Sequence, residues 1–455
     1  MAKPTVALVA LLLAFGLTSA GAEPFHIPLS RRSRTHPLDL NERANRLLLK
    51  YGLPPRLQSN VTSVPLGKRA SSSSVAVTNH ETDNDYFASL EIGSPPQTLN
   101  VILDTGSSDL WLAGSTCSSG CDPQALLYQS SKSSSFQGGT GNALSGLGVT
   151  IKLNYGSGSA TGRTGQETVS MGGFTLTNQV FLDVSQVSGN ITDADVSGIM
   201  GLAFVGLAQT TALPFWQALV RNNQLSSPEM SFYLARSSDP NKIDVDGGMF
   251  TLGGTNPSLF TGEIEFQNIS MQGTNNPLFW SLPVSDITID GKSVPFPTIP
   301  GNGALDTGTT LITGATQNVQ AFWAAVPNSG PSPTAQGFYN FPCNTQLNVA
   351  FSFGGKSWAI NEADMNLGQD PGESSKCVGA IFDGGIPANA GLSWIIGDTF
   401  LKNVYSVFRA TPPSVGLAQL SSQAGGSKSG GSISLKASNV ALLMSMLIAI
   451  ARICL

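Results

Sequence analysis

Charged residues and histidine are scarce in this sequence. Only 12% of its 455 residues are charged, and of its three histidines only His80 lies beyond residue 69. A serine or cysteine hydrolase with a histidine base would depend on His80, which lies in a polar segment with no motif around it. A zinc hydrolase needs several histidine ligands, and the sequence contains no H-E-x-x-H. The composition therefore disfavours both of these hydrolase classes.

The charges that are present are distributed unevenly. Residues 23–69 carry nine Lys/Arg against three Asp/Glu, whereas residues 70–425 carry eleven against 26. A basic leader ahead of an acidic body predicts a pro-segment that docks electrostatically. The acidic body argues against nucleic acid as a partner. Abundant Gly, Ser and Thr favour a secreted protein rich in strands and turns over a helical bundle.

Cysteine is also sparse, with residues Cys117, Cys121, Cys343, Cys377 and Cys454. In an oxidising compartment the first four predict two disulfides, with free thiols as the alternative. Three pairings are possible, and sequence alone does not choose among them. We favour Cys117–Cys121 and Cys343–Cys377, because each bridge then stays within one half of the body. Cys454 lies in a segment that we expect to be removed.

The amino terminus predicts secretion and processing. Residues 1–22 combine Lys3, an apolar run from Val6 to Leu17 and small residues, as in a secretory signal peptide. A membrane anchor is the alternative, but the run is short for a span. Residues 23–69 end in Lys68-Arg69, which predicts a pro-segment cut after the dibasic pair; a solvated charge pair is the alternative.

The carboxyl terminus predicts a lipid anchor. Residues 421–436 form a Gly/Ser-rich linker, and residues 437–455 form a hydrophobic tail. Small residues, a polar spacer and such a tail are typical of a GPI-attachment signal. A single membrane span is the alternative, but the tail is short and contains Arg452. The expected location is the secretory pathway and then the outer membrane leaflet or cell wall, with release from that surface as the alternative.

The sequence D-T-G occurs twice, each time after an apolar run that favours a β-strand. Asp104 lies in V-I-L-D-T-G-S-S, and Asp306 lies in A-L-D-T-G-T-T about one domain length later. A single copy would be weak evidence, because such tripeptides usually mark ordinary loops. Two copies followed by hydroxyl residues predict a pair of catalytic aspartates.

Two carboxylates held close together cannot both ionise, so the pair keeps one proton. The ionised member can accept a proton from water, and the protonated member can donate one to a carbonyl oxygen. This is amide hydrolysis without metal or cofactor. The expected supporting residues are Thr105 and Thr307, which would brace the loops, Gly106 and Gly308, which would let them bend, and Ser107 and Thr309, which would hydrogen-bond the outer carboxylate oxygens.

Two further features repeat the pattern or extend it. Residues 198–204 (G-I-M-G-L-A-F) and 394–400 (W-I-I-G-D-T-F) each follow a D-T-G by roughly 90 positions, so two lobes are predicted at 70–260 and 261–420.

Between the two D-T-G copies, a predicted strand reaches Tyr155 and is followed by a Gly-rich tip with Gly156 and Ser157. This pattern fits any hairpin turn, but beside the D-T-G loops we favour a mobile flap over the substrate.

Shorter signals complete the pattern. Helical spacing predicts helices over 213–221 and 316–326, and another over 38–52 in the leader. At the end of that leader helix, either Lys50 or Tyr51 is a candidate to block the aspartate pair before activation. Sequons for N-glycosylation, which also occur by chance, begin at Asn60, Asn190 and Asn268.

Together these motifs resemble the pepsin-like aspartic endopeptidases, and among them the fungal secreted and GPI-anchored members. The resemblance runs from about Asp85 to Leu420. It rests on Y-F-A-S-L-E-I-G-S-P-P-Q, D-T-G-S-S-D-L-W, Y-G-S-G, G-I-M-G-L, D-T-G-T-T and W-I-I-G-D-T-F-L-K-N-V-Y-S-V-F, in the family's order. It implies an all-β, bilobal pepsin-like fold of two pseudo-symmetric β lobes with a cleft between them, and it places Asp104 and Asp306 at the dyad.

The resemblance also implies roles for residues around the dyad. Tyr155 matches the flap tyrosine, and Trp111 matches the tryptophan that can hydrogen-bond its hydroxyl. The K-Y-G sequence at 50–52 is similar to family pro-segments. Arg409 stands where the family usually has Asp, which predicts a looser surface contact there.

The leading hypothesis is therefore an acid aspartic endopeptidase, made as a zymogen and acting as a monomer. Its substrates would be extended peptides or proteins, cut between apolar residues. The alternative is an inactive pepsin-like protein that binds or inhibits at the cell surface. Such relatives usually lose a dyad Asp, a following Gly or the flap Tyr, and this sequence keeps all of them. A half-sized protease that dimerises is excluded because both D-T-G copies lie in one chain.

Overall fold

The computed structural model describes residues 25–32, 51, 86–121, 125–139, 146–155, 158–189, 191, 196–236, 244–271, 276–297, 300–387 and 390–426. Several predicted features lie outside these residues. They are the signal peptide, nearly all of the leader helix, Lys50, Asn60, Gly156, Ser157, Asn190, Cys454 and the carboxyl-terminal tail. The predicted domain boundaries stay predictions.

The described residues form mainly β-strands. In the first half these are β1 (Phe25–Arg32), β2 (Tyr86–Ile92), β3 (Gln97–Asp104), β4 (Leu110–Ala113), β5 (Thr150–Tyr155), β6 (Gly158–Met171), β7 (Phe174–Gly189), β8 (Gly198–Gly201), β9 (Glu229–Leu234) and β10 (Asp244–Leu252). In the second half they are β11 (Phe260–Asn268), β12 (Ser281–Pro283), β13 (Asp286–Ile289), β14 (Lys292–Ser293), β15 (Asn302–Leu305), β16 (Ile312–Gly314), β17 (Gly330–Pro331), β18 (Tyr339–Pro342), β19 (Val349–Ser352), β20 (Ser357–Ile360), β21 (Asn366–Asp370), β22 (Glu373–Gly379), β23 (Ile381–Asp383), β24 (Trp394–Ile396), β25 (Val404–Ala410) and β26 (Pro413–Leu420).

Helices are short in the described part of the chain. They are α1 (Phe215–Arg221), α2 (Thr316–Ala324), α3 (Glu362–Met365) and α4 (Asp398–Leu401), with 3₁₀ turns at Ser130–Lys132, Val205–Leu207 and Ser422–Ala424. The helices predicted over 213–221 and 316–326 are confirmed as α1 and α2. Within the described residues, no helix is both long and apolar enough to cross a membrane.

The strands of the described residues form one large sheet and three small ones. The large sheet has the order β11-β26-β25-β9-β10-β1-β2-β3-β8-β4-β7-β6-β5, so it takes strands from both halves of the chain. The small sheets are β12-β15-β24-β16-β23, β14-β13-β19-β20 and β17-β18-β22-β21. The all-β, two-lobed fold predicted from the sequence is confirmed.

The repeated sequence pattern produces a repeated strand arrangement. The strand before each D-T-G pairs in parallel with a later apolar strand: β3 pairs with β8, and β15 pairs with β24. In each half a third strand then joins that later strand in antiparallel fashion, β4 on β8 and β16 on β24. Both aspartates are therefore held at the ends of buried central strands, which fixes their backbone positions.

A strand of the basic leader is part of the large sheet. β1 lies between β10 and β2, with His26 opposite Thr251 and Arg31 opposite Tyr86. The His26 ring Nδ1 lies 2.8 Å from the Thr251 hydroxyl oxygen. The leader is therefore joined to the body by main-chain pairing.

An aromatic cluster joins the two halves beneath the D-T-G loops. The rings of Phe204 and Trp280 have centroids 4.2 Å apart, and Trp216 packs against both. The Trp280 indole donates to the Leu202 carbonyl at 2.9 Å, and the Leu202 amide donates to the Asp104 carbonyl at 2.7 Å. Burying three such rings supplies much of the hydrophobic stabilisation at this junction.

Both predicted disulfides are present. Cys117 is bonded to Cys121, and Cys343 is bonded to Cys377. The second bridge closes a loop of 34 residues, which stabilises by roughly 3–4 kcal/mol in the chain-entropy model.

The expectation that Arg409 loosens its surroundings is wrong. Its Nε donates to Glu229 Oε2 at 2.9 Å, and the guanidinium lies 3.5 Å from the centroid of the Phe266 ring. Because Arg409 and Glu229 are directly opposite on β25 and β9, the arginine forms a cross-strand ion pair.

Candidate active site

The structure brings the two D-T-G loops face to face. Asp104 is the last residue of β3, and Asp306 directly follows the last residue of β15. The exposed fractions of the two residues are 2% and 0%. Two carboxyl groups are thus withdrawn from solvent in one small region.

The threonines of the two loops hold each other reciprocally. The Thr105 amide donates to Thr307 Oγ1 at 3.1 Å, and the Thr307 amide donates to Thr105 Oγ1 at 2.9 Å. Each hydroxyl in turn donates to the strand of the opposite half, Thr105 to the Leu305 carbonyl and Thr307 to the Leu103 carbonyl. All four bonds are buried, so they fix the separation of the loops.

Each carboxylate has the same pair of local donors. Asp104 accepts the Gly106 amide at 2.8 Å and the Ser107 hydroxyl at 2.6 Å. Asp306 accepts the Gly308 amide at 3.0 Å and the Thr309 hydroxyl at 2.5 Å. These bonds orient both carboxyl planes.

The glycines of the loops are required by the close approach of the opposite acid. A Cβ built on Gly106 would lie 2.5 Å from Asp306 Oδ1, and one built on Gly308 would collide with Asp104 Oδ1. Any side chain at either position would therefore push the two carboxyl groups apart.

Tyr155 covers this region from the end of β5. Its ring is buried, and its centroid lies 6.2 Å from that of Trp111. Burial raises the pKa of the Tyr155 hydroxyl well above its usual value, and the negative charges of Asp109 and Asp104 raise it further. Hydrogen bonding to Trp111 and Ser107 partly offsets this rise. The bond between Trp111 and the flap tyrosine that the resemblance implied stays a prediction; the ring packing of the two residues is what the geometry shows directly.

Tyr51 of the leader reaches the aspartate pair. Its hydroxyl donates to Asp306 Oδ2 at 2.9 Å, and its ring centroid lies 5.5 Å from that of Phe279. Burial raises the pKa of Tyr51 well above its usual value, with further contributions from Asp306 and Asp104. Of the two candidate blocking residues, the structure brings Tyr51 to the pair, and Lys50 lies outside the described residues.

Sequence reasoning missed Asp109. This buried acid accepts the Gln209 amide at 2.9 Å, the Thr210 amide at 3.0 Å and the Thr210 hydroxyl at 2.5 Å. It anchors the loop after β8 to the segment that follows the first D-T-G. The second Asp of D-T-G-S-S-D was the available signal, but its partners lie a hundred positions away.

Two buried carboxyl groups on matching loops of a two-lobed β protein define an aspartic-type peptidase. The family model for eukaryotic aspartyl proteases matches residues 85–420. Major aspartyl peptidase 1 of Cryptococcus neoformans var. grubii is 35% identical over 403 residues, which cover 86% of this chain and 78% of that protein. Cathepsin E of Mus musculus is 33% identical over 341 residues, covering 74% and 80%. Pepsin A of Rhinolophus ferrumequinum is 31% identical over 342 residues, covering 74% and 81%.

The chain belongs to the eukaryotic aspartyl protease family. It is an aspartic-type endopeptidase and acts on peptide or protein substrates.

Proposed function

We propose that Asp104 and Asp306 share one proton and together activate a water molecule against a peptide bond. The observation that carries this proposal is the reciprocal arrangement of the two loops, with matched donors on each carboxylate. Two buried acids so close together resist double ionisation, and aspartic proteases are the standard case of such a pair.

The proposed reaction balances without any further group. The ionised aspartate takes a proton from water as the water oxygen bonds to the carbonyl carbon, and the other aspartate protonates the carbonyl oxygen. The tetrahedral intermediate then collapses: one of its hydroxyl groups returns a proton to the ionised aspartate, the C–N bond breaks, and the leaving nitrogen takes a proton from the other aspartate. Tyr155 would close over the substrate and exclude bulk water during these steps.

The surroundings of Tyr51 support a preference for apolar residues beside the cleaved bond. Its ring packs against a cluster that includes Leu311, Ile386 and Ile395, and it lies next to Phe279. Once the leader leaves, this apolar surface next to Asp306 is available to a substrate side chain. The main chain of an extended substrate would supply most of its hydrogen bonds.

The mature enzyme is expected to cleave denatured protein in acid and to lose activity towards neutrality, where the pair loses its shared proton. The measurement uses recombinant chain with residues through Arg69 removed, assayed from pH 3 to pH 7 with and without pepstatin, an inhibitor of aspartic peptidases. Mapped cut sites should have apolar residues on both sides. Absence of cleavage at every pH, after verified removal of the leader, would favour the inactive binding protein instead.

The leader would keep the precursor inactive through Tyr51 and β1. The ring of Tyr51 fills the space beside Asp306. Its hydroxyl is hydrogen-bonded to Oδ2 of Asp306, the carboxylate oxygen that a catalytic water would approach. The strand β1 holds the leader in the sheet until processing.

Tyr51→Phe should weaken this inhibition in the uncut precursor by about 10- to 100-fold, because a hydrogen bond to a carboxylate contributes about 1.5–3 kcal/mol. The readout is the affinity of the uncut precursor for pepstatin. Tyr128→Phe serves as the control, because it also removes a hydroxyl bond to a carboxylate, that of Glu167, and Tyr128 is bridged to Gly114 rather than paired with β1. Equal affinity in Tyr51→Phe and unmodified precursor would contradict the proposed role.

We also propose secretion, glycosylation and GPI attachment of a monomer at the outer membrane leaflet or cell wall. Asn268 supports this in part, since it is exposed at the end of the edge strand β11. A mass shift on endoglycosidase treatment and release from cells by a phosphatidylinositol-specific phospholipase are the corresponding tests.

A further inference from the structure

Asp183, in strand β7, is partly buried and has one carboxylate oxygen, Oδ1, enclosed in the protein. Among the residues that the structure describes, no group hydrogen-bonds to this oxygen. This oxygen lies against Gly114, where a Cβ would collide with it. The Gly114 amide does not reach it, because that amide donates to the Val184 carbonyl at 2.9 Å. On the side of Oδ1, the site accommodates a carboxyl group, and no described group there compensates a negative charge.

The charged and titratable groups on neighbouring strands do not compensate it either. β7 lies between β4 and β6, and Asp183 is opposite Leu112 on one side and Arg163 on the other. Arg163 is exposed, and its Nε donates to the Gly148 carbonyl at 3.1 Å. The nearby acid Glu167 is buried and accepts the Tyr128 hydroxyl at 2.8 Å. Glu167 is an acid and Tyr128 supplies its hydroxyl to that acid, so neither offers a counter-charge.

Ionisation of Asp183 is therefore costly in the folded protein. Burial raises the pKa of this carboxyl to about 6. An aspartate in an unfolded chain has a pKa of about 3.9. Between these two values the folded state holds a proton that the unfolded state has released, so the free energy of unfolding falls as the pH rises. Above about pH 7 nearly all of this loss has occurred, because the carboxyl group is then almost fully ionised in the folded protein as well.

We propose that Asp183 is a pH-sensitive switch in the amino-terminal lobe, neutral and well accommodated in acid, and destabilising to the β4–β7 contact once it ionises near neutrality. This property is separate from the proton shared by the catalytic pair. It would limit the lifetime of the folded enzyme outside acidic surroundings.

The position of the switch connects it to the active site. The neighbouring pair on the same two strands is Trp111 and Leu182. Trp111 packs against the flap residue Tyr155, and β4 begins four residues after Gly106. Separation of β4 from β7 would therefore displace Trp111, against which the flap residue Tyr155 packs, before the rest of the fold unfolds.

The test is thermal unfolding of the full chain carrying Asp183→Asn, measured from pH 4 to pH 7.5. Asn is neutral at every pH and has the shape of the protonated acid. The variant and the unmodified protein should unfold at the same temperature at pH 4. At pH 7 the variant should have a 10- to 100-fold smaller unfolding equilibrium constant, since two pKa units correspond to about 100-fold and partial solvent access reduces the effect. Asp290→Asn, at an exposed turn, should show no such pH-dependent difference.

A second readout follows irreversible inactivation. Each protein is held at pH 7 and then assayed at pH 4, so the protonation of the catalytic pair is the same in every assay. Asp183→Asn should lose activity about 10-fold more slowly than the unmodified enzyme. A difference between variant and unmodified protein that is the same at every pH would overturn the proposal. Failure of both Asp183→Asn and Asp183→Ser to fold at pH 4 would also overturn it, because the neutral form is the one that the fold is proposed to prefer.

Discussion

Asp104→Asn should lower kcat by at least about 10³-fold and leave the fold intact. The amide has the same shape as the carboxyl group, and its oxygen can still accept the Gly106 amide. It cannot accept a proton from water at any relevant pH, so the general base or the general acid of the pair is lost. Proton transfer by a positioned group contributes typically 10²–10⁴-fold, and here one group serves in both the attack and the collapse of the intermediate.

The measurement is steady-state cleavage of a peptide with an apolar cut site, together with thermal unfolding to confirm the fold. Asp306→Asn should have nearly the same effect, and the double variant should be little worse than either single one, because residues acting as a unit are strongly non-additive. Asp290→Asn is the surface control. A variant at Asp104 that keeps a tenth of the activity would exclude the proposed mechanism.

The two D-T-G turns could be predicted from the sequence because the signals that define them lie close together in the chain. An apolar β-run before each Asp predicts a buried strand, and a glycine two positions later predicts a sharp turn. The alternation within β2 is an equally local signal, since Leu90 and Ile92 are buried on either side of the exposed Glu91. Those signals depend on residues within about ten positions of one another.

The close contact of each glycine with the opposite acid was not predictable. Gly106 meets Asp306, and Gly308 meets Asp104, across about two hundred positions of chain. The sequence indicates that a small residue is needed for the turn but not which group approaches it. The same limit applies to Asp183, whose surroundings come from β4, β6 and Gly114 rather than from its own strand.

Asp364 is a further buried acid whose partners the sequence did not reveal. Its Oδ2 accepts Arg236 Nη2 at 2.6 Å, and its Oδ1 lies 2.9 Å from Lys402 Nζ. Asn403 also donates to Oδ2 at 3.0 Å. Only 4% of the Asp364 side chain and 7% of the Lys402 side chain are exposed. The cluster ties α3 to the end of the large sheet and to the turn after α4.

This cluster bears on the active site through α4. The amide of Asp398, the first residue of α4, donates to the Thr309 carbonyl, and the Lys402 amide donates to the Asp398 carbonyl. Thr309 is the residue whose hydroxyl bonds to Asp306. Two main-chain hydrogen bonds therefore connect Lys402 to the catalytic loop that contains Thr309, and a displacement of Lys402 would be transmitted to that loop.

Asp364→Asn should lower the free energy of unfolding by about 3–5 kcal/mol, because it leaves the charge of Lys402 buried without its partner. Glu373→Gln, which breaks the more exposed pair with Lys376, should cost no more than about 1 kcal/mol. Denaturant unfolding from pH 2 to pH 7 tests both.

Burial alone would raise the pKa of Asp364, but Lys402 and Arg236 outweigh it and hold the pKa below its usual value. The stabilisation is therefore complete above about pH 4 and is lost only as the pH falls through that lowered pKa. The deficit of Asp364→Asn should be constant from pH 4 to pH 7 and shrink at the acid end, whereas the gain of Asp183→Asn should grow from pH 4 to pH 6. A deficit for Asp364→Asn no larger than that for Glu373→Gln would show that the two cations find other compensation. The opposite pH responses of these two aspartates follow from one difference: Asp364 is enclosed with two cations, whereas no cation among the described residues is bonded to the partly buried Asp183.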